Sequence, residues 1–198
     1  MRSSVLFFLG LFALSLSGCT QPPCEKYLTH MPIRTQALVM VPKPLNPIQE
    51  RLYDLCILSR HDVQVIRLGQ TWKFIFPSDD LFDNDTAEIN DNYKPILNVV
   101  ADFMRTYSKI SVKIASFSNK PEHDILTKFG TITDELTTRQ ANAVLKYFTS
   151  HHIDARLIYA VGEGGKDEVA WNGTEAGRRF NRRVEVSFRY YRDNTAWY

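Results

Sequence analysis

Hydrophobic positions alternate along Val184, Val186 and Phe188, with Glu185 and Ser187 between them. That two-residue period predicts a strand with one buried face. Ile110, Val112 and Ile114 alternate in the same way with Ser111 and Lys113, so a second strand runs to about Phe117. Arg156–Val161 reads as a third. Val63–Arg67 and Trp72–Phe76 read as a hairpin around a tight turn at Gly69-Gln70, closed by Pro77.

Helical spacing appears in three places. Pro47–Ser59 opens on a proline suited to the first helical position and repeats Ile48, Leu52 and Leu55. Ala87–Tyr107 places Ile89, Tyr93, Ile96, Leu97, Val100, Phe103 and Met104 on one side, and Pro95 either kinks it or marks its true start. Thr133–Thr149 is the clearest helix. Thr133 suits the N-cap, Asp134 and Glu135 sit in the positively polarised first turn, and Leu136, Ala141, Val144, Leu145 and Phe148 form a buried stripe. Ser78–Asp85 reads as an acidic loop, Gly162–Gly165 as a turn and Asn172–Asn181 as a polar loop. From Trp72 onward the order is strand-helix-strand-helix-strand-strand. It predicts an α+β layer with two helices on one sheet face.

The N-terminus has a different texture. Arg2 precedes an apolar run, Val5–Leu16, of signal-peptide length and too short for a bilayer core of roughly 30 Å. Residues 19–47 carry six prolines (22, 23, 32, 42, 44 and 47), which favours an extended tether. Residues 48–71 then read as an added helix and strand, 72–190 as the main domain, and 191–198 as an aromatic tail.

Composition adds exclusions. The 198 residues carry a formal charge of +2, so bulk nucleic-acid binding is not suggested. The five histidines show no metal-ligand spacing, and no nucleophile motif is present, so neither metal, cofactor nor enzyme activity is expected. Arg178, Arg179, Arg182 and Arg183 cluster where loop becomes strand, and arginine grips carboxylates through a planar fork.

The spelling around those arginines is informative. Asn172, Thr174, Gly177, Arg178, Asn181, Arg182, Arg183, Val184 and Glu185 resemble the closing signature of the OmpA-like, peptidoglycan-associated lipoprotein domain. Phe74–Phe82 with Ala87-Glu88-Ile89 resembles its opening strand and loop, and the likeness covers roughly Trp72–Arg189. The resemblance implies a βαβαββ sheet with helices on one face. It also implies a site for the carboxylate and amine of diaminopimelate in the peptidoglycan stem peptide, built from an Asp, an Arg and the Asn-Arg-Arg loop. On that pattern the site residues are Ser118, Asn119, Arg139, Gln140, Asn181 and Arg183. Asn119 stands where the family has Asp and Gln140 where it has Arg. Arg139 is a neighbouring cation, and Asp124 precedes it at the family's Asp-to-Arg spacing. Hydrogen bonds to charged groups contribute ~1.5–3 kcal/mol against ~1 for neutral ones. Two such losses weaken binding roughly a hundredfold or more, so the stem-peptide contact is expected to be weak or lost.

Leu16-Ser17-Gly18-Cys19 resembles a bacterial lipobox. It implies cleavage after residue 18, acylation of Cys19 and, with Thr20 next, an outer-membrane anchor with the domain in the periplasm. Each buried methylene of such chains contributes ~0.8 kcal/mol. Cys24 and Cys56 remain. Either they pair, closing a loop that stabilises by roughly 3–4 kcal/mol, or they stay separate thiols with Cys56 buried in its helix. Lipobox, proline tether, short addition and one degenerate domain together resemble the small lipoproteins of Dot/Icm type IVB secretion systems. That implies other secretion-system core components as partners.

Overall fold

The computed structural model describes residues 46–83, 86–119, 124–128 and 130–191. The signal segment, Cys19, Cys24, the tether up to residue 45 and residues 192–198 lie outside them. Among the described residues no helix is long and apolar enough to cross a membrane.

A five-stranded sheet organises the fold, in the order β1-β2-β7-β3-β6. β1 (Gln64–Leu68) and β2 (Thr71–Pro77) form the expected hairpin, and Gly69 takes the left-handed φ of 59° that its two-residue turn requires. β7 (Arg183–Tyr190) inserts between β2 and β3 (Lys109–Phe117), antiparallel to both, and β6 (Ile158–Gly164) runs parallel to β3. Alternation is what makes these segments strands. Trp72 faces Phe188, Phe74 faces Val186 and Phe76 faces Val184 in register, and all six are buried. The intervening positions form the other face, where Lys73 pairs with Glu185 at 2.6 Å and Lys113 with Glu163 at 3.2 Å. β4 (Leu126–Thr127) and β5 (Gly130–Thr131) make a separate short pair.

Helices cover the apolar face. α3 (Lys94–Arg105) buries Ile96, Leu97, Val100, Phe103 and Met104. Its Phe103 meets Trp72 and Phe74 edge-on, with ring centroids 5.1 and 5.4 Å away. The helix does not begin at Ala87. Pro95 lies in the first turn, where its missing N–H costs nothing, and so marks the start rather than a kink. α4 (Ile132–Ser150) buries Ala141, Val144 and Phe148. Its N-cap is Thr131, not Thr133, because Thr131 and Asp134 satisfy each other's backbone N–H in a capping box.

α1 (Pro47–Arg60) is capped by a box between Asn46 and Gln49. Only the C-terminal part of its predicted stripe is buried, with Leu55 packed against the core and Cys56 4% exposed. Ile48 and Leu52 are 56% and 54% exposed, whereas Leu58 is fully buried. Arg51 of the same helix packs on the domain: its guanidinium lies 3.7 Å above the Tyr107 ring and donates to Thr106 Oγ1 at 2.9 Å. Leu58 and Val63 join the same core as the strands, so this addition is part of the domain's packing. Three other expectations are corrected. The acidic loop contains a turn of helix, α2 (Ser78–Leu81), the polar loop contains α5 (Glu175–Asn181), and the residues read as a turn extend β6 to Gly164.

Candidate functional site

At one end of the sheet, past the C-termini of β2 and β3, lies a cavity of about 450 Å³. α2 and its exit supply Ser78, Asp79 and Phe82. The end of β3 supplies Phe117, Ser118 and Asn119. α4 supplies Leu136 and Gln140, and the residue after α5 supplies Arg182. Ser118 and Asn119 follow directly from β3, and the Ser118 N–H is held by the Gly164 carbonyl at 2.8 Å.

Arg182 is the cation lining this cavity, and its nitrogens are already engaged. Nε and Nη2 each approach an Asp79 carboxylate oxygen at 2.7 Å, Nη2 also reaches Glu175 at 3.1 Å, and Nη1 donates to Asn119 Oδ1 at 3.3 Å. The Asp79 hydrogen bonds, with those of Glu175 behind them, push the guanidinium further above its ordinary pKa. Hydrogen bonds from Arg178 and Arg182 hold the Glu175 carboxyl below its own. Gln140 is buried and similarly occupied. Its Oε1 accepts from Ser116 Oγ and its Nε2 donates to the Thr86 carbonyl, both at 3.0 Å. An arriving carboxylate therefore meets two acidic groups and one arginine bound to both. Ser78 Oγ, buried in the lining, has no hydrogen-bond partner among the described residues.

The residues expected to share one site divide into three groups. Ser118, Asn119 and Gln140 come together in the cavity. Arg139 is exposed and outside the lining. Asp124 accepts from the Thr133 N–H at the start of α4 and is local to that turn. Asn181 and Arg183 lie outside this lining. Asn181 accepts from the N–H groups of Val169 and Ala170 and donates to Ala170 O and Asn172 Oδ1, all at 2.8–3.0 Å. Every hydrogen-bonding position of its amide is thus used to fasten the preceding loop. Arg183 points to the opposite face, 4.0 Å above the Phe117 ring, and donates to Glu185 at 2.8 Å and Asp167 O at 3.1 Å. It lines a second cavity, of about 640 Å³, with Ile75, Pro77 and Phe180.

The arginine-rich motif is therefore mostly a staple. Thr174 caps α5, and Gly177 fits because a Cβ there would lie 1.9 Å from the Trp171 carbonyl oxygen. One residue of the motif, Arg182, faces the first cavity. Arg182, within the Asn-Arg-Arg loop but not among the individual site residues read from the pattern, lines the cavity together with its partner Asp79.

Comparison with known proteins places this geometry in context. The OmpA family pattern matches residues 81–182, just over half the chain, from Leu81 beside the cavity to Arg182 in it. Outer membrane porin F of Pseudomonas fluorescens is 33% identical over 106 residues, which is 54% of this chain and 31% of the porin. The probable lipoprotein YiaD of Escherichia coli K12 is 26% identical over 126 residues, 63% of this chain and 54% of YiaD. The chain thus spans about a third to a half of these relatives. Among solved structures, the cell wall anchor of the T6SS from Pseudomonas aeruginosa superposes with a TM-score of 0.58 at 26% identity, covering 68% of this chain and 92% of the anchor. A putative MotB-like protein from Desulfovibrio vulgaris gives 0.60 at 19% identity, covering 75% and 94%, and shares the fold.

Proposed function

Because the chain belongs to the OmpA family, we propose that it is a lipid-anchored outer-membrane protein whose periplasmic domain is a structural part of a type IVB secretion core complex. Its cavity touches peptidoglycan weakly or not at all. The whole-chain resemblance to the DotK (IcmN) lipoprotein of Dot/Icm systems supports the assembly. The likeness to the cell wall anchor of the T6SS supports the use of this domain type in a secretion machine. The role is non-enzymatic.

One observation carries the cavity's part in this reading. Four of the five N–H donors of Arg182 are taken by Asp79, Glu175 and Asn119, while Gln140 and Asn119 bring no charge. A zwitterionic stem peptide needs a free cation and a free anion side by side. A second reading, a general lipoprotein tethering the outer membrane to the wall, draws on the likeness to YiaD.

Affinity isolation of the lipidated protein from solubilised envelopes separates the two. The proposal expects outer-membrane secretion components in fixed proportion. Recovery of peptidoglycan fragments without protein partners favours the tether, and release of soluble muropeptides contradicts the non-enzymatic role.

A further inference from the structure

The hairpin of β1 and β2 leaves one side of the sheet open. Among the described residues β1 is the outermost strand, and its partner is β2. Leu68 and Thr71 face each other across a two-residue turn, so they form a hydrogen-bonded pair, as do Ile66 with Lys73 and Gln64 with Ile75. The backbone N–H and C=O groups of Val65 and Arg67 therefore point away from the sheet. β1 reads QVIRL and runs in unbroken register, so neither proline nor a bulge blocks this edge.

The side chains of the edge are apolar on one face and cationic on the other. Ile66 and Leu68 stand on the outer face, 38% and 67% exposed. Arg67 shares the opposite face with Trp72, 5.2 Å above that ring, and donates to the Tyr190 hydroxyl at 3.0 Å. Among the described residues no carboxylate pairs with it. At the start of the strand, Gln64 lines the cavity of about 640 Å³ with Arg179 and the exposed Phe180 of α5. Arg179 is held only by Asp80, at 3.1 Å, with side chains 58% and 41% exposed. Such a surface pair contributes little and exchanges readily.

We propose that an acidic, extended segment of another protein adds to β1 as a sixth strand. Its backbone pairs with Val65 and Arg67, and its side chains alternate. Apolar ones lie beside Ile66 and Leu68, carboxylates lie beside Arg67, and a terminal residue enters the cavity between Phe180 and Arg179. Charge decides the occupant. β1 contains no acidic residue, so a second copy of this chain would bring another Arg67 to the edge and no carboxylate to meet the first. An acidic strand supplies what Arg67 lacks, and opposite charges across a strand pair stabilise it. β1 lies outside the matched residues 81–182 and contributes nothing to the first cavity's lining. Strand addition is thus independent of whether that cavity touches peptidoglycan and of which envelope assembly the domain serves.

Two dye-labelled peptides test this on the full chain in non-ionic detergent. One is Ser-Val-Glu-Val-Glu-Val-Ser, and the other carries lysine in place of both glutamates. By fluorescence polarisation the glutamate peptide is expected to bind about tenfold tighter or more at low salt, with the gap closing as salt is raised. Hydrogen–deuterium exchange with that peptide bound is expected to slow two amides in segment 64–68, those of Val65 and Arg67. Arg67→Glu, at an exposed position, is expected to invert the preference toward the lysine peptide. Equal affinities, or binding of neither peptide, overturn the acidic partner. Slowed amides elsewhere with β1 unchanged overturn the edge as its site. Val65 and Arg67 amides that are already slow in the free chain overturn both, because the edge is then covered. A dimer in sedimentation velocity would identify the cover as a second copy, and a monomer would assign it to the chain's own residues.

Discussion

Arg182 holds Asp79 in a two-pronged ion pair across 103 residues of chain, with both contacts at 2.7 Å. The register of β2 against β7 brings them together. Pro77 faces Arg183, so Asp79 lies just beyond one strand and Arg182 just before the other. The side chains are 33% and 20% exposed, so the pair is neither dry nor fully solvated. Its effect on the cavity is to occupy the cation that a ligand carboxylate would need.

Removing the acid should therefore arm the cavity. Asp79→Ala is expected to raise affinity for diaminopimelate about tenfold, because charge-assisted bonds to Arg182 become available. It should lower stability by only about 1 kcal/mol, as for other partly exposed pairs. Titration calorimetry and thermal melting read the two effects. Unchanged affinity would show that Arg182 is not what limits binding.

Asn181 predicts a purely structural loss. Asn181→Ala removes four part-buried hydrogen bonds that fasten residues 169–172. It should destabilise by about 2–4 kcal/mol, since the stranded backbone groups lose their partners. Chemical denaturation measures this, and a loss below the expected range would mean that the loop is held by other contacts.

Gly177→Ala should act on the same loop from the other side. The new Cβ would lie 1.9 Å from the Trp171 carbonyl oxygen, so α5 and the loop must separate. The expected cost is about 1–3 kcal/mol, accompanied by a shift in tryptophan fluorescence. A fully stable variant with unchanged emission would contradict this packing.

The outer sheet face sets an acid limit. Burial raises the Glu185 carboxyl pKa, but hydrogen bonds from Lys73 and Arg183 outweigh it and hold the group below its ordinary value. A carboxyl lowered on folding stabilises above its unfolded pKa of about 4.3, and that stability is lost as pH falls through the folded value. Melting temperature should therefore drop below about pH 4 more steeply in the native protein than in Glu185→Gln. Parallel acid limbs would remove Glu185 from the account.

Much of the sheet was legible because its strands bury alternate residues. Trp72, Phe74 and Phe76 announce one face, and Val184, Val186 and Phe188 announce its neighbour. α5 was not legible for a specific reason. It is held by the Thr174 cap, by Asn181 and by ion pairs, and Gly177 and Asn181 are its buried residues, so no apolar stripe marks it. The site was half legible. Asn119 and Gln140 could be placed by the spelling around them, and both line the cavity. Asp79 and Arg182 could not be matched, because an acidic run and a basic run each resemble ordinary solvated surface until strand pairing joins them. The same limit explains Arg183: its neighbour Arg182 faces the cavity, while Arg183 begins β7 and points to the opposite face.

The central claim is that the cavity is intact but charge-neutralised, and sedimentation with isolated sacculi tests it most directly. Purified native protein should remain in the supernatant, while Asn119→Asp combined with Gln140→Arg should pellet. If the native protein pellets and free diaminopimelate releases it, the cavity reads its ligand through the groups described as spent, and the account is wrong.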